Sequence, residues 1–229
     1  MSNILHLFRY SLLGLVLVLT LSLFPLITFS QIVTQATIAE ILDGDQVFIQ
    51  NQKVGVNSIA EQGQQIRTEQ ARAGLKFINN AVIRLGNNSS FIVGSRCIKL
   101  QQGQLLISGS QRGCIGSIVA VTRGTIYVLE LDEETGEGKI QVLEGAVEVS
   151  DTEEPDTETQ IIEAGYQIKV LPSGLLGIIE QLTASDLTRL LQGQLFQGFR
   201  IPIPNLHNII KPPSVPRSPR LPRFPFPSR

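Results

Sequence analysis

The sequence predicts an all-β fold: stacked β-hairpins in a roll, a sandwich or a solenoid-like domain, with one C-terminal capping helix and a Pro/Arg-rich tail. Three observations predict it. Twenty glycines accompany many Val, Ile, Gln and Thr residues, a single Met and no Trp, a composition of short strands and turns. Apolar and polar residues alternate with period two in short runs closed by Gly, Asn or Asp. A frame of strand, Gly turn and strand recurs, from Leu100 to Ile107, Leu143 to Val149 and Ile162 to Val170.

Taken in chain order, residues 1–30 predict a signal peptide or an N-terminal membrane anchor. Arg9 precedes an apolar run over residues 10–29, interrupted only by Ser11, Gly14, Thr20, Ser22, Pro25 and Thr28. Its length fits either reading, since signal peptides carry apolar regions of about 7–15 residues and spanning helices about 20. Pro25 breaks the helix, and Thr28-Phe29-Ser30 supplies small residues where a signal peptidase reads, just before polar Gln31. Under both readings Arg9 stays on the cytoplasmic side and the rest is exported, to the periplasm or cell envelope.

Residues 31–180 predict the β domain. Its clearest strands are 46–50, 81–85, 91–93, 97–100, 104–107, 118–121, 126–131, 139–143, 146–149, 160–162 and 166–171. Along 126–131, Tyr127, Leu129 and Leu131 point opposite to Ile126, Val128 and Glu130, which puts one face in a core and the other nearer solvent. Asp43-Gly44-Asp45, Gly86-Asn87-Asn88, Gln101-Gln102-Gly103, residues 133–138, Glu144-Gly145 and Pro172-Ser173-Gly174 are expected hairpin-like turns. Gly86, Gly103, Gly124, Gly145 and Gly165 are read as structural turn residues. Cys97 and Cys114 stand at the outer ends of what reads as one hairpin, and in an exported protein such a pair is most simply a disulfide.

Residues 181–200 hold the helix and a linker. Thr183 or Ser185 caps it, Asp186 suits its positive end, and Leu187, Leu190 and Leu191 form an apolar stripe before Gly193. Covering an open end or edge of the sheet is its expected task. From Ile201 the chain holds nine of the twelve prolines and is expected to be extended and to build no core. Arg217, Arg220, Arg223, Phe224, Phe226 and Arg229 are the candidate binding residues of this tail, for an anionic polymer, a membrane surface or an acidic partner face; a plain solvated tail is the alternative.

Charge and residue inventory exclude several functions. The net charge is −1, but all 20 acidic residues lie between Gln31 and Asp186, and seven basic residues follow Asp186 with no acid among them. An acidic body with a basic exported tail does not suit nucleic-acid binding. The two histidines are His6, in the export segment, and His207, in the tail, so the body holds no His-based triad. Asp132, Glu133, Glu134 and Glu137 crowd one loop and acidic residues of 151–158 another; these read as solvated turns, with weak calcium binding as the alternative. No catalytic residue, metal ligand or cofactor is expected.

An ordered series of segments resembles the FecR domain family. Gly63-Gln64-Gln65-Ile66-Arg67-Thr68 is similar to its Gly-x-x-Ile-x-Thr opening, and Arg84-Leu85-Gly86-Asn87-Asn88-Ser89 to its Arg-Leu-Gly-x-x-Ser turn. Residues 100–107 resemble the Leu-x-x-Gly-x-Leu segment, Thr122-Arg123-Gly124-Thr125 the Thr-Pro-x-Gly-Thr segment with Arg near the Pro position, and residues 143–149 the Glu-Gly-x-Val-x-Val segment. The resemblance runs from about Ala36 to Val170 and implies a noncatalytic exported binding or scaffold module of the cell envelope. Signalling members of the family carry a cytoplasmic domain that controls a sigma factor, which residues 1–9 are too few to form. The alternative is therefore a truncated transmembrane signalling subunit that acts with a separate membrane or sigma-regulatory partner.

Overall fold

The computed structural model describes residues 35–122, 124–153 and 159–209. The chain divides into Met1–Ile32 and Val33–Arg229, and the described residues all belong to the second unit. The strands are β1 (Gln35–Leu42), β2 (Val47–Ile49), β3 (Gln52–Lys53), β4 (Ile59–Glu61), β5 (Gln65–Thr68), β6 (Arg72–Phe77), β7 (Val82–Leu85), β8 (Ser90–Val93) and β9 (Ile98–Gly109). They continue with β10 (Gly113–Ile115), β11 (Ile118–Thr122), β12 (Thr125–Leu131), β13 (Gly138–Glu144), β14 (Ala146–Asp151), β15 (Gln160–Glu163), β16 (Tyr166–Val170) and β17 (Leu176–Gln181). Two helices follow, α1 (Ala184–Leu191) and α2 (Leu206–Ile209).

The strands form two facing layers. The first runs β4-β1-β6-β7-β9-β12-β13-β16-β17 and the second β3-β2-β5-β8-β9-β10-β11-β14-β15. All neighbours are antiparallel except β9 and β10. Long strands folded at a corner build both layers at once: β1 with β2, β5 with β6, β7 with β8, β11 with β12, β13 with β14, and β15 with β16.

β9 is the undivided case. Its first part pairs with β8 and β10 in the second layer, and from Gly103 onward it pairs with β7 and β12 in the first. The expected turn at Gln101-Gln102-Gly103 is thus a bend within one strand. Gly103 adopts φ +79°, and a Cβ there would lie 2.8 Å from the Asn88 carbonyl oxygen, so only glycine fits the bend. The segments at 43–45, 86–88 and 144–145 likewise carry the chain from one layer to the other instead of closing hairpins within a layer. Residues 132–137 and 171–175 do close hairpins, β12–β13 and β16–β17.

Two seams join the layers. Corners from β1 to β9 align along one seam, because Leu42 opposes Arg72, Ala73 opposes Leu85 and Leu85 opposes Leu105. After β9 the corners move to the opposite seam, since Thr125 opposes Gly109 and Ile126 opposes Glu144. β10 makes the change, and the Cys97–Cys114 disulfide (Cα–Cα 5.9 Å) ties it to the start of β9. On the first seam Thr68 Oγ1 donates to the Gly86 carbonyl at 2.6 Å and accepts from the Ser89 N–H, while Ser89 Oγ accepts from the Gln104 N–H at 3.0 Å. These side chains satisfy corner backbone groups that no ladder reaches.

The main core lies between the layers, where Ile38, Leu75, Ile83, Leu85, Phe91, Leu100, Leu105, Ile107, Tyr127 and Leu129 are completely or almost completely buried. Burial of each large side chain of this kind stabilises by roughly 1.5–3 kcal/mol. Tyr127 keeps its hydroxyl satisfied by donating to the Gln111 carbonyl at 2.7 Å, and burial pushes its pKa far up, so it stays neutral.

A second apolar cluster differs from the sequence expectation. One face of β12 was expected nearer solvent, but both are enclosed: Ile126 and Val128 are fully buried with Leu106 and Leu143 on the outer side of the first layer. Leu182, Leu195, Ile203 and Ile209 cover them, with Leu187, Leu190 and Leu191 of α1 packed alongside. The helix leans on a face of the sheet, not on its end or edge. Its start is fixed by a capping box in which Thr183 Oγ1 accepts from the Asp186 N–H at 3.1 Å and Asp186 accepts from the Thr183 N–H at 3.2 Å. The stretch after Ile201, expected to build no core, buries Ile203 and Ile209. Its prolines shape an extended path without preventing apolar side chains from packing.

Candidate interaction surface

The outer face of the first layer is occupied by the chain's own residues 192–209, and three charged side chains hold them there. Arg84, 3% exposed on β7, donates to the carbonyls of Leu195 (3.0 Å) and Ile201 (2.9 Å). Arg72, at the start of β6, donates to the Gln194 carbonyl and to that of Gln197 (2.8 Å), and its Nε pairs with Asp43. Glu40 on β1 accepts from the backbone N–H groups of Arg200 (3.0 Å) and Ile201 (3.1 Å). Phe199 stacks on the two guanidinium groups, 4.5 Å from that of Arg84 and 5.3 Å from that of Arg72.

Burial lowers the pKa of Arg84 to about 10, with the Glu40 carboxylate opposing that shift and Arg72 adding to it; Arg84 is still protonated at neutral pH. A shallow groove beside this clasp is lined by Glu40, Val56, Lys76, Arg200 and Pro202. The charged groups of the clasp are bonded to backbone groups of the same chain and, for Arg72, to the Asp43 carboxylate.

The outer face of the second layer is mixed. Arg67 covers the Phe48 ring at 4.3 Å, and Lys99 on β9 and Glu148 on β14 are exposed elsewhere in the layer. The apolar surface gathers elsewhere. Among the described residues nine large apolar side chains are exposed, and six lie in or beside the last three strands: Ile161, Tyr166, Leu171, Leu175, Ile178 and Ile179. Val56, Ile59 and Ile78 belong to the region of the first strands. Ile178 is 77% exposed on β17, whose partner among the described residues is β16 alone. An edge strand with an apolar side chain in solvent and unpaired backbone groups along its free side is a template for another chain.

Two of the residues expected to have special roles form the Cys97–Cys114 bridge, and disulfides belong to an oxidising, exported environment. Gly103, Gly124, Gly145 and Gly165 have positive φ, whereas Gly86 does not; a Cβ on Gly86 would instead meet the Gln194 side chain at 2.9 Å. Arg217, Arg220, Arg223, Phe224, Phe226 and Arg229 lie outside the described residues, as do the expected leader or anchor and residues 154–158. Among the described residues no helix is long and apolar enough to cross a membrane, and no group of three or more His, Cys, Asp or Glu side chains could hold a metal ion. In the 132–137 hairpin, Asp132 accepts from the N–H groups of Glu134 (3.0 Å) and Thr135 (2.8 Å) and from the Thr135 hydroxyl, and the Thr135 bonds hold its pKa down. It closes a turn.

Sequence reasoning missed Arg72, Arg84, Glu40 and the whole of β17. Charged side chains inside a strand pattern were the available signal for the clasp, because such residues are buried only with partners. For β17, the run Leu175-Leu176-Gly177-Ile178-Ile179 lacks the alternation that marks a half-buried strand.

No family model matches the chain, and no curated protein matches it. Among solved structures, the chain is similar to two crystal structures of a candidate anti-sigma factor from Parabacteroides distasonis ATCC 8503. Each gives a TM-score of 0.47 at 15% identity over 56% of this chain. The match spans 65% of that protein's length in one structure and 64% in the other.

Proposed function

We propose that this chain is a noncatalytic, FecR-like binding module of the cell envelope, exported to the periplasm or an equivalent oxidising space, that captures an extended segment of another envelope protein along β17. The observation that supports this reading is the gathering of exposed apolar side chains at the open β15–β17 end, where Ile178 stands 77% exposed. Strand addition at such an edge draws affinity from main-chain hydrogen bonds and specificity from alternate side chains. The enclosed second cluster and the clasp supply a rigid sheet behind the edge, which keeps the ordering cost of binding on the partner's side.

The test is a comparison of the native chain with Ile178→Lys and with Ile178→Glu in cross-linking to isolated envelope proteins. Both substitutions change a side chain that is 77% exposed, so circular dichroism and melting should stay close to native. The expected result is loss of the same cross-linked partner from both variants. An undiminished set of cross-linked partners in both would reject β17 as the binding edge.

A further inference from the structure

The first layer has a second open edge, at the end opposite β17. β4 pairs only with Gln35, Ala36 and Thr37 of β1. The loop before β4 reaches one residue further: the Ile38 N–H donates to the Ser58 carbonyl at 2.9 Å, and the Ile38 carbonyl accepts from the Asn57 N–H at 2.7 Å. Beyond Ile38, β1 keeps β6 on one side through Glu40, Ile41 and Leu42, and among the described residues no strand pairs with its other side. The alternation of buried and half-buried residues ends at the same point, since Ala39, Glu40, Ile41 and Leu42 are all half-buried.

The groove beside the clasp follows this edge. Its volume of about 730 Å³ is that of a ligand pocket, and the consecutive residues Ala39–Asp43 all line it. Successive side chains of a strand point to opposite faces, so a groove touched by an unbroken run of residues follows the strand's backbone. Glu40 leaves that backbone clear. It leans over β6, where a Cβ on Gly74 would lie 2.7 Å from its Cγ, and its carboxylate is taken up by the Arg200 and Ile201 N–H groups.

Charge identifies the occupant. The two carboxylates at the groove are committed, Glu40 to the clasped backbone and Asp43 to Arg72. Lys76 and Arg200 also line the groove, both exposed, and neither has an ion-pair partner among the described residues. With Arg72 and Arg84 behind them, cationic side chains outnumber carboxylates here, although the body as a whole is acidic. Alternation sets the rest of the pattern. Glu40 and Leu42 stand on the outer face, opposite Gly74 and Arg72, whereas Ile41 between them packs against the main core. A strand added beside them sends every second side chain outward, toward Lys76 and Arg200, and the intervening ones toward the apolar rim at Ile41.

We propose that the groove along Ala39–Leu42 binds an extended peptide segment in which acidic and apolar residues alternate, its main chain pairing with β1 and its carboxylates meeting Lys76 and Arg200. Main-chain hydrogen bonds supply affinity for any extended segment, and the two cations select the acidic one. This site does not depend on β17.

The probe is a fluorescein-labelled peptide of repeating Glu-Val, titrated with the full chain and read by fluorescence anisotropy. A repeating Lys-Val peptide and a Glu-Val peptide N-methylated on alternate residues serve as comparisons. The expected result is binding of the unmethylated Glu-Val peptide alone, weakened about tenfold in K76Q/R200Q, as the loss of two exposed ion pairs predicts, and similarly at about 1 M salt. Ile178→Lys should bind it as the native chain does. No binding at millimolar peptide, or equal binding by K76Q/R200Q, would overturn the proposal. Equal binding of the N-methylated peptide would reduce the site to charge attraction without strand pairing and overturn it as well. Loss of binding in Ile178→Lys would place the peptide on β17, and a dimer of this chain that excludes the peptide from β1 would assign the edge to a second copy; either outcome rejects this groove as the peptide site.

Discussion

The guanidinium of Arg84 donates to the backbone carbonyl oxygen of Ile201 at 2.9 Å, joining β7 to a residue 117 positions later in the chain. This bond and its neighbour to Leu195 turn the outer side of an amphipathic sheet into a second core, because the segment they hold carries the apolar cover.

Arg84→Met should therefore release residues 192–209. Two buried carbonyls lose charged donors worth about 1.5–3 kcal/mol each, partly compensated by the apolar replacement, for a net loss of about 2–4 kcal/mol. Limited proteolysis should cut between Gln192 and Ile209 in the variant and leave the β strands intact. Native-like resistance of that segment would show the clasp to be dispensable.

Reduction of Cys97–Cys114 should destabilise the fold by about 3 kcal/mol, since the bridge closes a loop of 17 residues. For a domain of this size that lowers Tm by roughly 6–12 °C. Calorimetry of the native chain against the Cys97→Ser/Cys114→Ser double variant measures it. β10 should lose amide protection before β12 and β13 do.

Gly103→Ala and Gly165→Ala separate backbone strain from crowding. Both glycines have positive φ, +79° and +88°, but a Cβ at Gly165 meets nothing within 4 Å, whereas at Gly103 it meets the Asn88 carbonyl. Gly165→Ala should cost about 1–2 kcal/mol, and Gly103→Ala clearly more, read as a lower urea midpoint at unchanged slope. Equal costs would mean that Asn88 and Ser89 move aside freely.

Acid should loosen the attachment of α1 and of the clasp. The Thr183 hydroxyl holds the Asp186 pKa below its ordinary 3.8, and the Arg72 hydrogen bond does the same for Asp43. A carboxylate whose folded pKa is depressed contributes its full stabilisation above the unfolded value and loses it as pH falls through the lower folded one. Melting temperature should hold above about pH 5 and decline toward about pH 2, with a shallower decline in Asp43→Asn and Asp186→Asn. A pH-independent Tm in that window would rule out both contributions.

Much of the β domain was legible because alternation reports burial directly: 126–131 and 139–143 coincide with β12 and β13 to within a residue, and 146–149 with β14 to within two. The cap was legible for a similar local reason, as Thr183 and Asp186 sit three residues apart at the start of an apolar stripe. Fold lines were not. A glycine at a corner between layers and a glycine in a hairpin leave the same mark in sequence, so Gly103 reads as a turn between two strands although it bends one. The cover of the first layer was illegible because it depends on contacts more than 100 residues apart, such as Arg72 to Gln194. At the candidate edge the difficulty is different: Ile178 and Ile179 look like core residues until topology puts no further strand beside them.

The path of Ile98–Gly109 through both layers has a mechanical corollary. Neither layer can shed its middle rung while the other keeps its own, for they are two lengths of one taut ribbon. Heat should accordingly melt the front and the back of the molecule together in one sharp step, and a force applied to one would be felt at once in the other.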